Sequence, residues 1–214
     1  MSDKNKAIFN TIFELKPSTQ QNRQLQIVEA AIKNYVTVGF DRTTFDKIAQ
    51  TCGISRPLIN RYFKNKGEIF EMSLKFIRAH MQNKAISALN KHTASDKQLK
   101  AYIESTFEWI DEFPSYIQTW LLFFYYASIN KEYNKLLTSI NNMGYERIIA
   151  LINKGIEEKT FRCAHPEEWA KWIQTAITGA LVTLMTEKLP MPKSEFKSHI
   201  IEQCFAGLDC KVPQ

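Results

Sequence analysis

The stretch CGISRPLINRYFKNK, Cys52 to Lys66, gathers the groups in this chain best suited to reading another molecule. It carries Arg56, Asn60, Arg61, Lys64 and Lys66, and no carboxylate occurs between Asp46 and Glu68. A guanidinium binds guanine through paired hydrogen bonds, a carboxamide binds adenine, and small apolar surfaces meet the thymine methyl. That set on one helix face suits the DNA major groove. The same face also fits a solvated basic helix, a common surface element. Pro57 is the obstacle to any helix here. With Ser55 as N-cap it falls at N2, where the N–H it lacks is one that a helix start leaves unpaired anyway. Ile54 and Ile59 then occupy the N′ and N4 positions of a hydrophobic staple. At about 100° per residue, with Ile59 inward, Ser55, Tyr62 and Phe63 share the inner half. Pro57, Leu58, Asn60, Arg61 and Lys64 take the outer half or its flanks.

Two preceding helices must hold this one in place. From Gln20, the apolar residues Leu25, Val28, Ala31, Ile32, Tyr35 and Val36 recur at helical spacings and predict a helix that stops at Gly39. In the following FDRTTFDKIAQTCG, Thr43 and Asp46 are spaced as a capping box, and Phe45, Ile48, Ala49 and Cys52 form one apolar stripe. Gly53 marks a tight turn. Two short helices joined by a glycine turn, the second basic on its outer side, make a helix-turn-helix.

Residues 23–70 resemble the DNA-binding region of the tetracycline-repressor (TetR) family of bacterial transcription regulators. The resemblance rests on IVEAAIKNYVTVGFDRTT, DKIAQTCGIS and INRYFKNKGEIF, about 48 residues in continuous register. It implies that Thr43 or Thr44 binds backbone phosphate. It also implies that Ser55, Arg56, Pro57, Leu58, Asn60, Arg61 and Tyr62 form the groove-reading segment, and that Lys66 holds a phosphate at the start of the next helix. Two departures stand out: the family usually has a small residue at the position of Pro57 and a tyrosine at that of Asn60. Asn60 is therefore expected to read a base, and the operator cannot be inferred from a relative.

Charge supports this division. Residues 1–70 hold eleven Lys and Arg against six Asp and Glu, whereas the other 144 hold seventeen against sixteen, so nearly all of the +6 lies in the first third. A polyanion is the expected partner of that third. At 214 residues with 44% hydrophobic content the chain is long enough for a sizeable core, and seven glycines and seven prolines argue against a loop-rich all-β design. The longest apolar run, Trp120 to Ala127, is too short to span a membrane, and the N-terminus lacks the pattern of a signal peptide. Its residues Ile8, Phe9, Ile12 and Phe13 could form a short extra helix. The four cysteines, Cys52, Cys163, Cys204 and Cys210, show neither C-x-x-C pairing nor metal spacing with His80, His92, His165 or His199. No cofactor, metal or catalytic residue is expected, and the location expected is cytoplasmic.

Beyond Gly67 the sequence predicts helices over Glu68–Asn90, Asp96–Glu112, Ser115–Ile129, Glu132–Glu158, Glu167–Glu187 and Ser194–Leu208. The whole is an all-α chain of about nine helices, divided as 1–19 extension, 20–67 DNA-binding domain and 68–214 helical effector-binding and dimerisation domain. WLLFFYY is apolar all round, which predicts a centrally buried helix. Its aromatics either fill a core or line a pocket for a small apolar or cationic effector. The pocket candidates are Tyr102, Trp109, Trp120, Phe123, Phe124 and Tyr126. The order W-x-x-F-F-x-x-A at Trp120 resembles the choline-responsive BetI branch of the family.

A second apolar stripe, Trp169, Ile173, Ile177, Ala180, Leu181 and Leu184, together with Phe196, Ile200 and Phe205, either packs on its own chain or forms half of a four-helix bundle across a twofold axis. The resemblance favours the homodimer, whose two reading heads would meet a palindromic operator in double-stranded DNA. The expected function is an effector-released, sequence-specific transcription repressor. The alternative is a helical small-molecule-binding protein or enzyme with no specific DNA target, which leaves the charge asymmetry unexplained.

Overall fold

Nine helices and no strand occur among the residues that the computed structural model describes, 19–186, 188–209 and 213. They are α1 (Thr19–Thr37), α2 (Phe45–Cys52), α3 (Arg56–Asn60), α4 (Lys66–Leu89), α5 (Ser95–Glu112), α6 (Pro114–Ile129), α7 (Lys131–Glu157), α8 (Pro166–Thr183) and α9 (Lys193–Ala206). The N-terminal segment with Ile8, Phe9, Ile12 and Phe13 lies outside the described residues, as do Glu187 and Cys210. The all-α reading holds. Its boundaries shift by a few residues, most of all in α3, where the helix closes after five residues with Arg61 as C-cap.

The chain divides into two compact units, one of residues up to Asn83 with Phe113–Phe123, the other of Lys84–Glu112 with the residues from Phe124 onward. In the first unit α1 buries Leu25, Ile27, Val28, Ala31, Ile32 and Tyr35, and α2 adds Ile48 and Ala49. Thr37 ends α1 two residues before Gly39, whose φ of 87° turns the chain away. Asn34 donates its Nδ2 to the Ala30 carbonyl and to Thr51 Oγ1, both at 2.8 Å, so a polar bolt joins α1 to α2. Phe40, Tyr35 and Phe70 pack in tilted and edge-to-face arrangements with centroids 4.9–5.8 Å apart, closing the module over the start of α4. His80, scattered in sequence from other chemistry, is buried here with its ring 4.3 Å from Phe113 and 5.4 Å from Tyr116.

In the second unit α5, α7, α8 and α9 pack on one another. Their shared core holds Leu99, Ile103, Phe107, Trp109, Ile148, Ile152, Ile173, Ile177, Cys204 and Phe205. The buried ring of Phe161 lies where a Cβ at position 155 would stand, 2.0 Å away, so Gly155 is what admits it. The α7 C-terminus is also tied to the α5 N-terminus: Ser95 N–H donates to Glu158 Oε2 at 3.1 Å, and Lys154 Nζ donates to Gln98 Oε1 at 2.7 Å.

The sequence overstated the burial of α6. Ile117, Trp120, Phe123 and Ala127 are buried, but Leu121, Leu122 and Phe124 are half-buried and Tyr125 is 60% exposed. An apolar circumference does not require a neighbour on every side, and Tyr125 keeps its hydroxyl in water.

Candidate nucleic-acid interface

Helix α2 begins one residue later than its spacing predicts. Thr44, not Thr43, is the N-cap, with φ −121° and ψ 163°, and its Oγ1 accepts from the Lys47 N–H at 3.3 Å. The capping box of Thr43 and Asp46 is therefore corrected: Thr43 is buried and donates its hydroxyl to the Gly39 carbonyl at 2.8 Å. Of the two threonines, only Thr44 faces solvent. At the other end Gly53 adopts φ 69°, a left-handed conformation that side chains resist, and its N–H reaches the carbonyls of Ala49 and Gln50. That turn redirects the chain into α3.

Ser55 is the N-cap of α3 and Pro57 is its second residue, as the spacing predicts. Backbone bonds run from Leu58 and Ile59 to the Ser55 carbonyl, while the Ser55 hydroxyl makes no capping bond. Ser55 is also exposed, not inward, because the cap's extended backbone departs from the helical wheel. Ile59, 0% exposed, and Phe63, 3% exposed, anchor the short helix from beneath. Its other side offers Pro57, Asn60 and Arg61 to solvent, with Leu58 and Tyr62 half-buried at the flanks. Among the described residues no hydrogen bond or ion pair holds the side chains of Asn60 or Arg61, which leaves an amide and a guanidinium free for base edges.

Two of the expected contacts have partners within the module. Arg56 Nη1 binds Asp46 Oδ2 at 2.9 Å, an ion pair between α2 and α3 with both side chains more than half exposed. Lys66, expected to hold a phosphate, also has partners within the module. Its ammonium donates to the Phe40 carbonyl at 2.9 Å and stands 4.3 Å above the Phe40 ring, fastening the loop before α2 to the start of α4. The first turn of α4 is moreover closed by side chains: Asn65 Oδ1 accepts from the Glu68 N–H at 3.0 Å and Glu68 Oε2 from the Lys64 N–H at 2.8 Å. The spacing of Asn65 and Glu68 is itself a capping signature legible in the sequence.

The pocket candidates are not assembled in one unit. Tyr102, Trp109, Phe124 and Tyr126 belong to the second, Trp120 and Phe123 to the first. Trp109 is 1% exposed and Phe123 0%. Tyr102 is more distinctive: the Arg147 guanidinium lies over its ring at 5.9 Å. Burial pushes its phenol pKa up, and the charge of Arg147 and its hydrogen bond oppose that rise.

The stripe expected at a dimer interface is largely buried within the single chain. Ile173, Ile177, Ala180, Leu181, Leu184 and Phe205 are all under 8% exposed within the single chain. Trp169 donates its indole N–H to the Cys204 carbonyl at 2.9 Å, and Phe196 and Ile200 are only half-exposed. Most of these side chains pack on the unit's own core within the single chain. The outward face of α8 instead carries Trp172, 40% exposed, Thr175, Gly179 and Val182, 50% exposed.

Burial raises the thiol pKa of Cys52 and pushes that of Cys204 up to about 12. Among the described residues no cluster of three His, Cys, Asp or Glu could hold a metal ion, and no helix is long and apolar enough to cross a membrane.

Comparison with known proteins agrees with this geometry. Residues 27–72 match the family of bacterial regulatory proteins of the tetR type. The HTH-type transcriptional regulator BetI of Serratia proteamaculans is 23% identical over 172 residues, 77% of this chain and 86% of that protein. BetI of Agrobacterium fabrum is 24% identical, and the match covers 62% of this chain and 64% of the relative. A protein from Saccharomonospora viridis solved in complex with choline shares the fold with a TM-score of 0.78 at 18% identity, over 90% of this chain and 99% of that one. A TetR transcription regulator from Haloarcula marismortui gives a TM-score of 0.76 at 16% identity over 90% and 99% of the two chains. The matched helix-turn-helix region, the shared all-helical fold and these relatives make the chain similar to DNA-binding transcription regulators of the tetR type, BetI among them.

Proposed function

We infer that this regulator is a homodimeric, sequence-specific repressor, released from a palindromic operator by a small-molecule effector. The observation that carries the reading is α3: a five-residue helix anchored by Ile59 and Phe63 that leaves Asn60 and Arg61 unengaged and exposed. Residues 20–67 serve as the DNA-binding domain and 68–214 as the helical domain for effector and dimer. Thr44 meets a phosphate, Asn60 and Arg61 read base edges, and Lys66 orders the loop that presents Thr44.

The second copy docks on the outward face of α8, where Trp172 and Val182 flank Gly179; a Cβ at Gly179 would meet nothing within 4 Å. The effector is a small cation or apolar molecule, a class supported by the choline in the Saccharomonospora structure and by the guanidinium already seated over Tyr102. Release requires that the effector bind the DNA-free conformer better than the bound one, since equal affinity shifts nothing. Selection of duplexes from a random pool tests the reading. A twofold-symmetric consensus is expected; a pool that stays unenriched at moderate salt overturns it.

A further inference from the structure

Asp46 is an anomaly in the reading surface. It is the only carboxylate between Asp41 and Glu68, and it sits in the first turn of α2 beside Thr44, where a DNA phosphate is expected. A carboxylate there repels DNA. Among the described residues its side chain engages Arg56, the first residue of α3, in an ion pair of 2.9 Å. Pairs this exposed contribute little to fold stability, so stability does not account for the arrangement.

We propose that Asp46 is a specificity-determining positioning residue: its ion pair withholds the Arg56 guanidinium from backbone phosphates and presents it to base edges. This rests on the DNA-binding reading above. An unpaired arginine beside a polyanion binds the nearest phosphate, a contact that positions the protein but carries no sequence information. With one N–H held by Asp46, the guanidinium starts charge-compensated and tethered between α2 and α3. A single phosphate oxygen then gains less from it, because the local field is already balanced and Asp46 repels that phosphate. A guanine edge, which is uncharged and accepts two hydrogen bonds in the plane of the fork, meets no such repulsion. The guanidinium has five N–H donors, so Asp46 and a base can share it. Asp46 thus lowers affinity for all DNA while raising the contrast between right and wrong sequences.

The test uses the full chain, the consensus duplex it selects and a scrambled duplex of the same length, across about 50 to 200 mM salt. Asp46→Asn is expected to bind the scrambled duplex several-fold more tightly, to steepen the log–log salt slope by about one, and to cut the consensus-to-scrambled ratio about tenfold. Adding Arg56→Gln to Asp46→Asn is expected to return the scrambled affinity and salt slope toward wild type. Asp46→Glu is expected to keep most of the ratio. The proposal is overturned if Asp46→Asn leaves the ratio unchanged, or weakens both duplexes equally alongside a lowered melting temperature. It is also overturned if only the preference at one base pair changes, which makes Asp46 itself a base reader. A wild-type chain that binds both duplexes alike defeats the DNA-binding reading instead, which separates the two failures.

Discussion

Helices α3 and α8 solve the same problem with opposite results. Each fastens one face to its own unit with fully buried side chains, Ile59 for α3 and Ile173 for α8, and leaves the other face open. The open face of α3 is a proline, an amide and a guanidinium; that of α8 is a tryptophan, a valine and a glycine. The difference teaches what kind of partner each awaits. A polar, hydrogen-bonding face keeps its value against a hydrated groove, whereas an apolar face gains only by leaving water.

Cutting the anchors should have the largest effect. Ile173→Ala removes a side chain with 0% exposure and is expected to cost about 2–5 kcal/mol of stability, read by thermal unfolding. Trp172→Ala, one residue earlier, loses only its stack on Trp169 at 4.7 Å and should lower the monomer's melting far less, yet shift sedimentation at about micromolar concentration toward a monomer. Equal effects of the two would erase the distinction between the faces of α8. On α3, Arg61→Ala is expected to lose about 1–3 kcal/mol of discrimination at one base pair, seen as a relaxed position in the selected consensus. Lys66→Ala should instead leave the consensus intact while lowering stability by about 1 kcal/mol, because its ammonium is bound to a loop carbonyl and ring.

The smallest effect concerns Glu158. Hydrogen bonding from Ser95 holds its carboxyl below its ordinary value of 4.5. A folded pKa below the unfolded one gives stability that is present above the unfolded value and lost as pH falls through the folded one. Glu158→Gln should therefore flatten slightly the decline in melting temperature below about pH 4.5. A variant that follows the wild-type pH curve would dissociate that carboxylate from the α5 start.

The reading module was legible because each device in it is local. A glycine that turns the chain, a serine before proline and an inward isoleucine all lie within a few residues of what they act on. The Arg56–Asp46 pair and the Lys66 ammonium were not, since they join residues ten and twenty-six positions apart. Periodicity found the stripe on α8 but not its owner. Nothing in the spacing of Ile173 and Ile177 says whether the covering surface belongs to the same chain or to another. The α6 aromatics failed for a related reason, since a uniformly apolar helix carries no periodic mark of which side is covered.

The bond from Lys66 to Phe40 has a consequence for how the module moves. The loop over residues 38–44 would ordinarily open on its own, with its amides exchanging with solvent through local excursions. Tethered by the ammonium at one point and by the Tyr35–Phe40–Phe70 rings at another, it must open together with the first turn of α4. The amide of Thr43, bound to the Phe40 carbonyl at 3.1 Å, should accordingly exchange at a rate close to that of the α1 core. A displacement of α4 would then carry Thr44 along as part of a rigid body, with no melting of the loop in between.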